Sequence, residues 1–101
     1  MRIGALEKRL RELARGKPCL LRIPGICNYD PETTVLAHVR IAGTGMGRKP
    51  HDLAGIWACS ACHDVLDGRS KHDQYTRTEV RAMALDGLVR TLEAVAREIE
   101  E

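Results

Sequence analysis

Cys59-x-x-Cys62, followed at once by His63, constrains this chain more than any other feature. Two cysteines three positions apart can present both sulfurs to one ion, and a tetrahedral zinc then needs two more ligands. Cys19 and Cys27 are the remaining cysteines. Seven residues separate them, a wider spacing than a standard knuckle, but Pro24-Gly25 between them signals a turn that can bring the ends together. The sequence therefore points to one structural zinc ion held by Cys19, Cys27, Cys59 and Cys62. A redox pair or inert thiols is the alternative, and thioredoxin-type chemistry lacks its surrounding βαβ pattern.

A metal brace suits the rest of the composition. The 101 residues include no Phe, one Trp and two Tyr, so the apolar content is mainly Leu, Ile, Val and Ala. A chain of this length is expected to form a single domain, 1–101, and its limited core gains most from an added constraint. No run of about 18 apolar residues is present to span a membrane, and the start MRIGALEKRLREL is charged throughout, unlike a signal peptide. A cytoplasmic protein with no membrane partner is expected, and a reducing compartment favours metal ligation over disulfides. Residues 1–49 hold ten Lys/Arg against four Asp/Glu, and residues 50–101 hold six against ten. The basic half suits an anionic partner or is ordinary solvated charge.

Ile3, Leu6, Leu10 and Leu13 recur at helical spacing, with Lys8, Arg9, Arg11 and Arg15 mostly off that stripe, and Gly16 and Pro18 stop the helix. VLAHVRI alternates as a strand should, placing His38 and Arg40 on the same face. AGTGMGRKPHD follows; it lacks the Gly-Lys-Ser/Thr ending of a P-loop, and it offers Arg48 and Lys49 to phosphates or serves as a plain connector. LAGIWA predicts a second strand, and a helix from about Ser60 to Gly68 carries the cysteine motif. The tail opens with Thr76-Arg77-Thr78-Glu79, which has capping-box form. Val80, Ala84, Leu88, Leu92, Val95 and Ile99 then mark a helix face, widened by Leu85, Val89 and Ala96, that serves as core or as a homodimer seam.

Neighbouring helical residues point about 100° apart, so His63 faces away from the sulfur site. Asp67 lies four residues on, over the same face, and the pair either makes a surface hydrogen bond or holds a second, divalent ion with open water positions.

The order of these features resembles the HNH, or His-Me finger, nucleases: a strand histidine, a loop, an Asp-Leu step, then Cys-x-x-Cys-His opening a helix. The stretch from Lys17 to Arg69, KPCLLRIPGICNYDPETTVLAHVRIAGTGMGRKPHDLAGIWACSACHDVLDGR, is more closely similar to the YbcO-like family of phage and prophage nucleases. The resemblance implies an α+β fold, with a zinc-braced ββα-metal core over 17–70 between an N-terminal helix (1–16) and a C-terminal helix (76–100). It implies His38 as the general base, Asp52 at the position where the family usually has its central Asn, and His63 with Asp67 as ligands of a catalytic Mg²⁺ or Mn²⁺. Zn²⁺ on the four cysteines is implied as the structural ion. Ala37 stands where many HNH enzymes carry an Asp or His that binds the catalytic metal, and His51 is either its substitute or a plain loop histidine.

The expected reaction is metal-dependent endonucleolytic hydrolysis of phosphodiesters, with Arg40, Arg48 and Lys49 on the backbone of the nucleic acid. DNA is expected in preference to RNA, and a phage or host recombination protein is a candidate partner. The competing class is a non-catalytic zinc module that binds nucleic acid or protein, in which His38 and Asp67 have no chemical task.

Overall fold

The computed structural model describes residues 3–39 and 51–100. Arg40, Arg48 and Lys49 fall outside them. The chain is an α+β structure in which a two-stranded antiparallel sheet, β1 (Val35–His38) and β2 (Gly55–Ala58), is surrounded by α1 (Ile3–Ala14), α2 (Ser60–Leu66) and α3 (Arg77–Glu100).

Each helix ends where its sequence allows. α1 buries Leu10 and Ala14 and half-buries Leu6 and Leu13, and Gly16 at φ +75° turns the chain out of it. α2 is capped by Cys59, whose sulfur accepts from the Cys62 N–H at 3.4 Å, and the chain leaves through Gly68 at φ +76°. The capping box at the start of α3 is formed in both directions. The Glu79 N–H donates to Thr76 Oγ1 at 3.1 Å, and the Thr76 N–H donates to Glu79 Oε1 at 2.9 Å.

All four residues of β2 are buried, so this strand is covered on both faces. Ile56 and Ala58 join Leu21, Ile23, Val65, Val80 and the cysteines in one cluster, and Trp57 joins Leu10, Ala14, Leu20 and Val95 in another. Thr91 on α3 accepts a hydrogen bond from the Trp57 N–H at 3.1 Å, tying the helix to the strand.

The buried row of α3 departs from the stripe read in the sequence. Val80, Ala84 and Val95 are buried and Leu88 is half-buried as that stripe requires, but Leu92 and Ile99 are exposed and Gly87 and Thr91 face the core instead. The cause is close approach. A Cβ at Gly87 would lie 3.1 Å from Ile56 Cγ2 and 3.2 Å from Leu21 Cα, so the helix meets β2 along its smallest residues. Leu85, Val89, Leu92 and Ile99 are left as an exposed apolar line on the other side.

Candidate functional site

The four cysteine sulfurs converge. All lie within 4.8 Å of one another, with Cys59 and Cys27 Sγ at 3.9 Å, and none is in a disulfide. Tetrahedral Zn–S bonds of about 2.3 Å require sulfurs about 3.8 Å apart, so the cluster fits a zinc ion after a small contraction. Cys19, Cys59 and Cys62 are buried and Cys27 is half-buried. Two turns supply N–H···S bonds: Cys62 N–H to Cys59, and Arg22 N–H to Cys19 at 3.5 Å. Arg22 adopts φ +51° to make the second, which explains how the wide Cys19–Cys27 spacing still closes. Cys27 follows the Pro24-Gly25 turn, where its N–H donates to Ile23 O at 3.0 Å.

Without an ion the thiols cannot all ionise. Hydrogen bonding from the Cys62 thiol pulls the Cys19 thiol down to about 4, against burial. The same contact with Cys19 pushes Cys62 up, and burial lifts Cys27 to about 11. A dication in the centre removes that conflict by favouring four thiolates at once.

His38 ends β1 opposite Gly55 in the antiparallel register. Its Nε2 donates to Asp52 Oδ1, and Arg11 of α1 donates to Asp52 Oδ2 at 2.5 Å. Asp52 has a fully buried side chain and lies in a 3-10 turn, Asp52–Ala54, just before β2. That turn folds tightly onto β1: a Cβ on Gly55 would be 2.6 Å from Leu36 Cδ1 and 3.0 Å from Asp52 O. Burial alone would raise the Asp52 carboxyl, but hydrogen bonds from His38 and Arg11 outweigh it and hold the group below the usual carboxylate value. An ionised carboxylate only accepts, so His38 donates from Nε2, and in the neutral imidazole Nδ1 is the nitrogen that carries the lone pair.

Asp52 is ionised in the fold and depressed in pKa. Its pairing thus stabilises fully above the unfolded value near 3.9 and is lost as pH falls through the lower folded value. Arg11→Ala is expected to cost about 1–3 kcal/mol at pH 7, toward the low end because Arg11 is half exposed. It also relieves part of the depression, so acid unfolding begins at higher pH than in the wild type. Urea midpoints at pH 7 and pH 4 measure both effects, and an unchanged midpoint at pH 7 would remove Arg11 from the account.

His63 sits on α2 with Nε2 3.0 Å from Asp67 Oδ2, and the same carboxylate oxygen takes Arg69 NH2 at 3.0 Å. Both are partly exposed, and they offer one imidazole nitrogen and one carboxylate, donors that could serve a hard divalent ion together with waters. Among the described residues the only group of three or more His, Cys, Asp or Glu that could hold a metal is the cysteine cluster. His51 is committed elsewhere: its Nδ1 accepts the Leu53 N–H at 3.0 Å and its Nε2 lies 3.5 Å from Glu7 Oε1.

A cleft of about 680 Å³ opens beside this arrangement, with His38 and Asp67 on its wall. Arg69, Arg77 and Arg81 also line it. Sequence reading did not single these out, nor Arg11 as the partner of Asp52. No spacing motif marks them, because they meet only through packing of elements distant in the chain.

The family described as "Putative nuclease YbcO" matches residues 8–100. The chain is 49% identical over 83 residues to "Putative nuclease YbcO" of Escherichia coli K12, covering 81% of this chain and 84% of that one. The counterpart from Enterobacteria phage 82 shows the same identity and coverage. Among solved structures, "Structure of a putative bacteriophage protein from Escherichia coli str. K-12 substr. MG1655" is similar at a TM-score of 0.73 and 42% identity. That match covers 90% of this chain and all of the other.

Proposed function

We propose a reaction from one premise: this chain belongs to the YbcO family, whose members bear the description "Putative nuclease". The reaction is metal-dependent endonucleolytic hydrolysis of DNA phosphodiesters at the cleft beside His38, on a ββα core of the HNH type. The observation that carries it is the buried Asp52 carboxylate on His38 Nε2, which fixes the imidazole and leaves Nδ1 as a base.

His38 takes a proton from the attacking water at Nδ1, while Asp52 stabilises the imidazolium that results and Arg11 keeps Asp52 ionised. His63 and Asp67 would hold Mg²⁺ or Mn²⁺, which supplies polarisation of the phosphate and charge stabilisation on the leaving oxygen. Zinc on Cys19, Cys27, Cys59 and Cys62 fixes the junction of β2 and α2, which carries His63. Asn28 reinforces the same junction. Its Nδ2 donates to Ser60 Oγ at 3.1 Å, and the Ser60 N–H donates to Thr33 Oγ1 at 3.2 Å. Arg40, Arg48 and Lys49 are proposed to contact the phosphate backbone in a salt-dependent manner.

The divalent site makes its own prediction. His63→Ala and Asp67→Asn, each zinc-loaded, are expected to need about tenfold or more Mg²⁺ or Mn²⁺ for half-maximal plasmid nicking, the usual size of a lost contact in a metal's coordination environment. An unchanged metal dependence in both variants would place the ion elsewhere.

A further inference from the structure

The rest of the cleft lining has no part in the chemistry above, yet it is built of two kinds of side chain. Arg69, Arg77 and Arg81 contribute three guanidinium groups, and among the described residues Asp67 is the one carboxylate on the lining. Arg77 donates to the carbonyls of Val65 and Leu66 at 3.0 and 3.1 Å, so it is held across the end of α2. Arg69 is held by Asp64 at 3.3 Å and by Asp67. Arg81 stands about one turn further along α3 than Arg77, at an exposed position. Leu66, Leu85 and Leu88 add an apolar part to the same lining, and Leu85 is 63% exposed.

We propose that this cleft receives one unpaired nucleotide, with its phosphate at Arg69 and Arg81 and its sugar and base against Leu85 and Leu88. The protein then acts on single-stranded or locally unpaired nucleic acid rather than on regular duplex, a statement that rests on the nuclease reading and narrows its substrate. The cleft volume lies within the range of small-ligand sites and accommodates a nucleotide with its water. Guanidinium groups alone would accept the phosphates of any nucleic acid. The leucines discriminate, because a duplex keeps its base faces stacked inside and can cover Leu85 only by expelling a base, at an energetic cost an unpaired strand does not meet. Among the described residues no Phe, Tyr or Trp lines the cleft, so base contact is mainly apolar and little base preference is expected.

The test is fluorescence anisotropy of the zinc-loaded full chain with a labelled 12-nucleotide strand and with the matching blunt duplex, without Mg²⁺ or Mn²⁺. The single strand should bind about tenfold tighter, a difference of the size that burying most of one leucine side chain supplies. Arg81→Ala should weaken strand binding and reduce the slope of log K against log salt by about 0.7, one phosphate contact. Leu85→Ser, at an exposed position, should weaken binding of the strand and leave that of the duplex unchanged. Equal or tighter duplex binding overturns the proposal, as does strand binding that neither variant alters, or no binding to either form. A parallel cleavage assay with Mg²⁺ separates the two readings. Nicking without strand preference in binding sinks only the unpaired nucleotide, whereas strand-selective binding lost in both variants without any cleavage supports this cleft and counts against the nuclease.

Discussion

Cys62→Ser, like removal of zinc by a strong chelator, is expected to leave the chain largely unfolded at neutral pH and 25 °C. Cys19, Cys59 and Cys62 are inside the larger core cluster, packed with Leu21, Ile23, Ile56 and Val65, so the metal site and the hydrophobic core are one unit. Apparent binding energies of structural zinc run to about 10–16 kcal/mol. Whole-domain stabilities are about 5–15 kcal/mol, so losing the ion removes most or all of the margin. A chain with no Phe has little aromatic surface to compensate. Far-UV circular dichroism and amide dispersion before and after chelation, with zinc measured by mass spectrometry, give the result. Signal should return on adding one equivalent of zinc to the chelated wild type. Cys27→Ser should be milder, because Cys27 is half exposed and three buried sulfurs remain. A protein shown to be zinc-free and still natively dispersed would end the structural role of the ion.

The second large effect is on rate. His38→Ala is expected to lower plasmid nicking by about two to four orders of magnitude, the range for a positioned general base. The variant should stay folded, since His38 is partly exposed at the end of β1 and its loss leaves Asp52 paired with Arg11. Loss of rate accompanied by loss of zinc or fold would instead assign His38 to the scaffold.

Much of the architecture was legible because it is locally encoded. Gly16, Gly68 and the Thr76–Glu79 box mark helix ends through backbone chemistry that needs no tertiary partner. VLAH and GIWA form the two strands within the segments their patterns indicated, and the Cys-x-x-Cys turn carries its own N–H···S bond. The face of α3 was not legible to the same degree. Gly87 and Thr91 look like interruptions in a leucine stripe, and only the arrival of β2 makes them the contact row. Asp52 reads in sequence as a departure from an Asn. Its role depends on Arg11, 41 residues away, arriving on α1 to share the burial. The arginines of the cleft come from the loop after α2 and the first turns of α3, and no linear pattern announces that they share a cleft with His38.

The most direct test of the catalytic claim is nicking of supercoiled plasmid by zinc-loaded protein with Mg²⁺ or Mn²⁺, wild type beside His38→Ala, with folding and zinc content verified for both. The account predicts divalent-dependent conversion of supercoiled to open-circular DNA by the wild type and its loss in the variant. Indistinguishable behaviour of the two proteins, with or without the ion, would contradict it and leave a zinc module that binds without cutting.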